Sequence, residues 1–170
     1  MGYNIAVAQS GGPTCAINAS LVGVVREARR HGEIDTVFGS PNGIEGFIKN
    51  RLLDLNEKMP TEAELNLVYH TPSAVLGSCR YKLPDYREND AVYRAVTDCL
   101  EKNNIRAFFY IGGNDSMDTV MKLSGYFREV GKDIRVIGIP KTIDNDLCFT
   151  DHTPGFGSAA KYVAVTLQEI

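Results

Sequence analysis

The segment from Ala107 to Ser116, AFFYIGGNDS, passes from a continuous apolar run to two glycines and then to polar residues. A short run of this kind is typical of a strand that is covered on both faces. In an open α/β sheet, ligands bind at the carboxyl ends of the strands. We therefore predict a buried strand over 107–111 with a ligand site directly after it. The two glycines let the backbone approach a ligand closely, and the start of the following helix favours an anion.

Three further apolar runs, at residues 5–8, 36–38 and 136–139, have the same character. Amphipathic helical patterns separate the runs, and the sequence places a cap for one helix at Asp90 and the end of another at Gly131. Thr61 with Glu64 three residues later predicts a capping box for a short helix that runs to Tyr69. Alternating strands and helices predict an α/β fold, a Rossmann-like, doubly wound and mostly parallel sheet.

The composition bounds the functional classes. A length of 170 residues suits one domain, and a formal charge of -3 gives no electrostatic case for nucleic acid or an anionic membrane as a partner. No apolar run reaches membrane-spanning length. The four cysteines lack zinc-like spacing and predict reduced thiols in a cytoplasmic protein.

The last residues form an apolar helical stripe that stops at Ile170 without a helix-ending Gly, Asn or Pro. This pattern predicts that the chain is cut within or just after a helix. We therefore expect a fragment of a longer protein. The stripe consists of Ala160, Val163, Ala164, Leu167 and Ile170.

A second polar segment, PKTIDND at residues 140–146, also follows an apolar run. It places a cation, Lys141, close to two carboxylates, Asp144 and Asp146. Burial of these charges would be costly unless they pair, bind a ligand or hold a metal, so they predict a site for phosphoryl transfer. Asp144, in the middle of the loop, is the better candidate for the base. A solvated charged loop is the alternative.

Three other positions fit phosphate chemistry less specifically. Gly11 and Gly12 follow the first strand, where exposed backbone amides cradle phosphate, although a plain turn is the alternative. Arg80 ends a glycine-containing loop and suits bidentate phosphate contact, with a surface arginine as the alternative. Asp115 at the start of a helix is predicted to act partly as a helix cap and otherwise as a metal partner or an excluding group.

Four segments resemble, in order and spacing, the N-terminal half of a phosphofructokinase, over essentially all 170 residues. They are SGG at 10–12, LGSCR at 76–80, GGNDS at 112–116 and PKTIDND at 140–146. The resemblance implies that residues 1–170 form the phosphoryl-donor-binding domain, truncated before the second half. It also implies that Asp144 is the base that accepts the proton of the 1-hydroxyl of fructose 6-phosphate. Thr142 and Asp146 would line the sugar site, and Gly11, Gly12 and Arg80 would hold the donor.

Two positions resemble the pyrophosphate-dependent branch of the family. ATP-using members usually read Gly-Gly-Asp-Gly-Ser and Pro-Gly-Thr-Ile-Asp, whereas this chain has Asp115 and Lys141 in place of a glycine in each segment. A carboxylate fills and charges the space that an α-phosphate needs, and a lysine grips pyrophosphate itself. We therefore assign catalytic roles to Asp115 and Lys141 beside Asp144, with Lys141 also binding the donor.

The implied activity is reversible, glycolytic transfer of a phosphoryl group from pyrophosphate to fructose 6-phosphate. The resemblance implies Mg²⁺ near Asn114 and Asp146, although Asn114 replaces an aspartate common in the family, and an amide is a weaker ligand. The family's second half supplies the arginines for the sugar phosphate, some from a neighbouring subunit, so we expect a homo-oligomer at full length and an inactive fragment. The alternatives are an ATP-dependent 6-phosphofructokinase and a non-catalytic, phosphate-binding fragment or subunit.

Overall fold

The computed structural model describes residues 2–170, and its centre is a five-stranded sheet. The strands are β1 Tyr3–Gln9, β2 Ile34–Ser40, β3 Leu53–Asp54, β4 Ile105–Gly112 and β5 Arg135–Pro140. Their order in the sheet is β3-β2-β1-β4-β5. All neighbouring strands are parallel except β2 and β3, which are antiparallel. The four predicted strands are confirmed, each extended by one or more residues at its ends. The fifth, β3, has only two residues and therefore shows no period in the sequence.

Helices connect these strands and largely match the predictions. Thr61 and Glu64 form the predicted capping box, and Gly131 follows the helix that ends at Glu129 and has a φ of 66°. The prediction for Asp90 is wrong in one respect, because its side chain makes no capping bond and instead pairs with Arg94 at 3.1 Å. The helices are α1 Ile17–Ala28, α2 Ile44–Ile48, α3 Leu55–Lys58, α4 Glu62–His70, α5 Ala91–Lys102, α6 Asn114–Glu129 and α7 Phe156–Glu169.

Two apolar cores lie on opposite faces of the sheet. On β1 the side chains alternate between them, so that Ala6 and Ala8 join one core while Ile5 and Val7 join the other. The first core packs against α2, α5 and α6, and the second packs against α1 and α4. The chain leaves β1 towards β2 on one side and later adds β4 on the other. The strand order therefore reverses at β1 and β4, whose carboxyl ends border the crevice where open α/β sheets bind ligands.

Strand β5 is not covered on both of its faces. This strand lies at the sheet edge, and Ile137 is 40% exposed. A mainly apolar groove of about 580 Å³ lies between α1 and the outer strands β4 and β5. The predicted C-terminal helix is present as α7, but none of its side chains is buried. Within residues 2–170, no helix is both long and apolar enough to cross a membrane.

Candidate functional site

The loop after β1 forms one wall of the site. Gly11 has a φ of 73°, which favours glycine, and its N–H donates to the carbonyl of Cys79 at 3.3 Å. The Ser10 hydroxyl donates to the same carbonyl at 3.2 Å. These bonds join the loop after β1 to the segment that carries Arg80.

The end of β4 forms the opposite wall. A Cβ atom at Gly112 would lie 2.0 Å from Oγ of Ser116, so this position requires glycine by close approach. Helix α6 begins directly afterwards with Gly113 as its N-cap. Asp115 lies in the first turn and is not the cap, so the predicted capping role is wrong. Its carboxylate lies 3.5 Å from the Lys82 ammonium, and both side chains are largely exposed.

Lys141 directly follows β5 and is only 5% exposed. Its N–H donates to the carbonyl of Gly112 at 3.0 Å, and its ammonium donates to the carbonyl of Gly12. Among residues 2–170, no carboxylate lies within ion-pair distance of this ammonium. Burial lowers the pKa of Lys141 from its ordinary value. A buried cation with only carbonyl partners favours an anionic ligand.

Two cavities meet at Lys141. The first, of about 260 Å³, contains the predicted donor-binding residues together with Asp115. The second, of about 300 Å³, contains Thr142 and Asp144. We name them after the ligands predicted from the sequence, the donor cavity and the acceptor cavity. The structure therefore brings together all the predicted site residues except Asp146. The residues that line both cavities are Gly12, Gly113, Asn114 and Lys141.

The carboxylates of the 140–146 segment are exposed, unlike Lys141. Asp144 lines the acceptor cavity, and its backbone N–H donates to the Thr142 hydroxyl oxygen at 3.0 Å. Asp146 lines neither cavity. Joint burial of all three charges is therefore wrong for the carboxylates, because the chain after Thr142 turns outward into an exposed loop.

Two residues that the sequence analysis missed fasten this loop. The Asn145 amide donates to the carbonyl of Asp151 and accepts from the N–H of Thr153, both at 3.0 Å. The buried Thr153 hydroxyl donates to the carbonyl of Thr142 at 2.7 Å. Asn145 has a φ of 55°, a conformation that asparagine adopts more readily than most residues. Its place between two aspartates was the available signal.

Tyr81 was also missed, although it lines the donor cavity next to Arg80. Lys82, the partner of Asp115, follows it directly. Their adjacency to Arg80 was the only sequence signal. Two cations, Arg80 and Lys82, and the buried Lys141 therefore surround or border the donor cavity, which gives it positive character.

Oxygen atoms that could hold a metal are present in both cavities, since Asp115 lines the donor cavity. Asn114 and Asp144 both line the acceptor cavity, whereas Asp146 does not. Within residues 2–170, no cluster of three or more His, Cys, Asp or Glu side chains forms a ready-made metal site. Mg²⁺ usually takes one or two protein ligands together with substrate phosphates and water, so this sparse set of oxygens fits that ion.

The fold and the two cavities define an α/β protein with two adjoining polar cavities at the switch point of its sheet. A family profile for phosphofructokinase matches residues 4–170. The chain therefore belongs to the phosphofructokinase family.

Several relatives match almost the whole chain. It is 42% identical over 168 residues to the pyrophosphate--fructose 6-phosphate 1-phosphotransferase of Halomonas elongata, and this match covers 98% of the chain and 40% of the relative. The crystal structure of the pyrophosphate-dependent phosphofructokinase from Nitrosospira multiformis superposes with a TM-score of 0.89 at 42% identity. This match covers 98% of the present chain and 40% of the Nitrosospira chain. The ATP-dependent 6-phosphofructokinase of Vibrio cholerae is 33% identical, and this match covers 98% of the present chain and 47% of the relative. The chain spans about 40% of the length of the first two.

Proposed function

We propose that the full-length polypeptide carrying these residues transfers a phosphoryl group from pyrophosphate to the 1-hydroxyl of fructose 6-phosphate. The observation that carries this proposal is the buried Lys141 ammonium at the wall shared by the donor and acceptor cavities. A cation at that place lies beside the phosphoryl group during its passage between the two ligands. The names of the relatives supply the identity of the donor and the sugar.

In this proposal, the donor cavity holds pyrophosphate. The backbone of Gly11 and Gly12 lines it, and Arg80 and Lys141 supply positive charge. Positive groups that are already in place stabilise the charge that develops on the transferred phosphoryl oxygens. Lys141 exchanges its carbonyl partner at Gly12 for a phosphate oxygen, which is a stronger, charge-assisted hydrogen bond.

Asp144 acts from the acceptor cavity as the general base. Its carboxylate accepts the proton of the sugar's 1-hydroxyl, and the oxygen forms a bond to the nearer phosphorus atom of pyrophosphate. The bond between that phosphorus and the bridging oxygen breaks, and inorganic phosphate leaves. The products are fructose 1,6-bisphosphate and phosphate.

Thr142, which orients the backbone of Asp144, lines the same cavity. We keep Asp146 as a sugar-binding and metal-binding proposal, since it lies on the same loop.

Asp115 accounts for the choice of donor. It lines the donor cavity, where its carboxylate opposes the additional phosphate of a nucleotide by volume and charge. Lys82, at 3.5 Å, partly neutralises it and limits repulsion of pyrophosphate. The higher identity to pyrophosphate-dependent relatives than to an ATP-dependent one supports the same choice.

We also propose Mg²⁺ as the cofactor, which Asn114 and Asp146 would hold together with pyrophosphate. When bound, the ion neutralises phosphate charge.

Because an aspartate is a stronger ligand than an amide, Asn114→Asp should lower the Mg²⁺ concentration that gives half-maximal activity. Titration of activity with Mg²⁺ measures this, and an unchanged requirement would remove Asn114 from the metal site. Location in the cytoplasm remains a prediction from the cysteines.

The test is an assay of the full-length polypeptide with fructose 6-phosphate and Mg²⁺, in which pyrophosphate and ATP are supplied separately. Formation of fructose 1,6-bisphosphate and phosphate from pyrophosphate is the expected result. Turnover with ATP alone would establish the ATP-dependent alternative. Binding of pyrophosphate without turnover of either donor would establish a non-catalytic, phosphate-binding protein.

A further inference from the structure

Two fully buried amide side chains lie beneath the donor cavity, and none of the steps above uses them. Gln9 ends β1 and Asn18 lies in the first turn of α1, and both are 0% exposed. The Gln9 amide nitrogen donates to Asn18 Oδ1 at 2.8 Å and to the carbonyl of Ile17 at 3.2 Å. Buried amides of this kind require partners for both their polar atoms, and here both residues have them.

Their remaining bonds all go to one irregular segment. Gln9 Oε1 accepts from the N–H of Leu76 at 2.9 Å, and Asn18 Oδ1 accepts from the N–H of Val75 at 3.0 Å. The Asn18 amide nitrogen donates to the carbonyl of Thr71 at 2.8 Å. This segment, residues 71–80, lies between α4 and α5 outside any helix or strand. Its backbone therefore depends on side chains for its position.

The same segment ends at the donor cavity. Beyond Leu76, Ser78 donates its hydroxyl proton to the carbonyl of Gly11, and the Cys79 carbonyl accepts from the N–H of Gly11. Arg80 follows directly and lines the cavity. Gln9 and Asn18 thus hold the segment at residues 71–76, and the loop after β1 holds it at residues 78–79.

We propose that Gln9 and Asn18 are positioning residues that hold residues 71–80, and with them Arg80, against the loop at Gly11 and Gly12. They act through the backbone and touch no substrate. The proposal rests on the function proposed above, because it assigns Arg80 to pyrophosphate. A displacement near 1 Å of a substrate-positioning group costs about 10²-fold in rate. An apolar residue at position 9 would fill the space and leave the Leu76 N–H without its partner.

Asn4 provides a matched control on the same strand. It lies near the amino end of β1, where its amide accepts from the N–H of Thr36 at 3.0 Å and donates to the carbonyl of Asn103 at 2.7 Å. Gln9→Leu and Asn4→Leu each remove an amide that bridges backbone groups. Both should lower the free energy of unfolding, because both leave backbone groups unpaired.

The experiment compares these variants in the full-length polypeptide. Gln9→Leu should lower kcat/KM for pyrophosphate by about 10–10²-fold, mainly through KM, and leave KM for fructose 6-phosphate unchanged. Asn4→Leu should change neither constant. Equal effects of the two variants on pyrophosphate, or no effect of Gln9→Leu, would overturn the proposal.

Gln9→Glu gives a second readout that a merely structural role would not produce. Burial raises the pKa of the introduced carboxyl group. When protonated, this group still donates to Asn18 Oδ1 and accepts from the N–H of Leu76. When ionised, it has no proton to donate, so two acceptor oxygens face each other and repel. KM for pyrophosphate should therefore approach the wild-type value at low pH and rise with pH. If the ratio of KM for pyrophosphate in Gln9→Glu to that in the wild type does not change with pH, the proposal is contradicted. This test applies even if Gln9→Leu does not fold.

Calorimetric binding of pyrophosphate without sugar separates this proposal from the proposed function. If the wild type binds pyrophosphate but does not turn over, the proposed function fails, and the affinities of Gln9→Leu and Asn4→Leu still decide the positioning role. If the wild type does not bind pyrophosphate, both proposals fail.

Discussion

The ammonium of Lys141 lies inside the protein and donates to the carbonyl of Gly12, and we expect this arrangement to make the site sensitive to pH. Burial lowers its pKa below the ordinary value. Because the charged form exists below that pKa, the proposed attraction for pyrophosphate should be lost as the pH rises through the pKa. The loss should begin at a lower pH than for an exposed lysine.

Calorimetric titration of pyrophosphate across the alkaline range measures this dependence. Lys141→Met is the reference, because pyrophosphate's own titration affects both proteins equally while the variant lacks the ammonium. We expect weaker binding by Lys141→Met at neutral pH and convergence of the two affinities at high pH. Parallel curves would show that Lys141 does not contact the donor.

At Asp144, removal of the proposed base should affect chemistry more than binding. Asp144→Asn should lower kcat by about 10²–10⁴-fold. KM for fructose 6-phosphate should change little, because the amide keeps the shape of the side chain. Steady-state kinetics measure both constants, and Asp151→Asn on the same exposed loop is the control. Collapse of sugar binding with normal kcat would make Asp144 a binding group.

At the scale of elements, the loop between β5 and α7 positions the acceptor cavity. The Thr153 hydroxyl is 3% exposed and donates to the Thr142 carbonyl two residues before Asp144. Thr153→Val removes this bond at nearly constant volume, which should lower stability by about 1 kcal/mol. It should also lower kcat by about tenfold through displacement of Asp144, while KM for pyrophosphate stays unchanged.

Thr97 offers a matched comparison for this change. It is 5% exposed and donates to the Tyr93 carbonyl at 2.7 Å within α5, away from both cavities. Thr97→Val should lower stability similarly without a kinetic effect. Thermal unfolding and steady-state kinetics distinguish the two variants, and equal kcat values would show that Thr153 is only structural.

Local signals account for what could be predicted at this scale. The strands and the capping box at Thr61 follow from periods and spacings that span a few residues. The bonds of Asn145 and Thr153, and those of Gln9 and Asn18 to residues 71–76, join distant backbone groups. No period or spacing encodes such partners. The wrong cap at Asp90 arose because Arg94 competes for the same carboxylate.

At the scale of the molecule, two apolar surfaces are left open. The first is the groove beside β5, and the second is α7, where Leu167 is 69% exposed and Ile170 is 98% exposed. The expectation that the strand at the fourth apolar run is covered on both faces was wrong for β5, because α6 packs against this edge strand while the groove beside α1 leaves Ile137 exposed. The groove beside β5 is larger than either the donor or the acceptor cavity, but its lining is mainly apolar and contains none of the residues that the sequence motifs predicted for the site.

The central claim concerns the whole reaction, namely that pyrophosphate is the donor and that Asp115 and Lys141 select it. The most direct measurement is the ratio of kcat/KM for pyrophosphate to kcat/KM for ATP, in the full-length wild type and in Asp115→Gly/Lys141→Gly. We predict a ratio well above one for the wild type. In the double variant it should fall by about 10²-fold or more, because a charge-assisted hydrogen bond contributes about 1.5–3 kcal/mol and the excluding carboxylate is gone. A wild-type ratio at or below one, or an unchanged ratio in the double variant, would contradict the account.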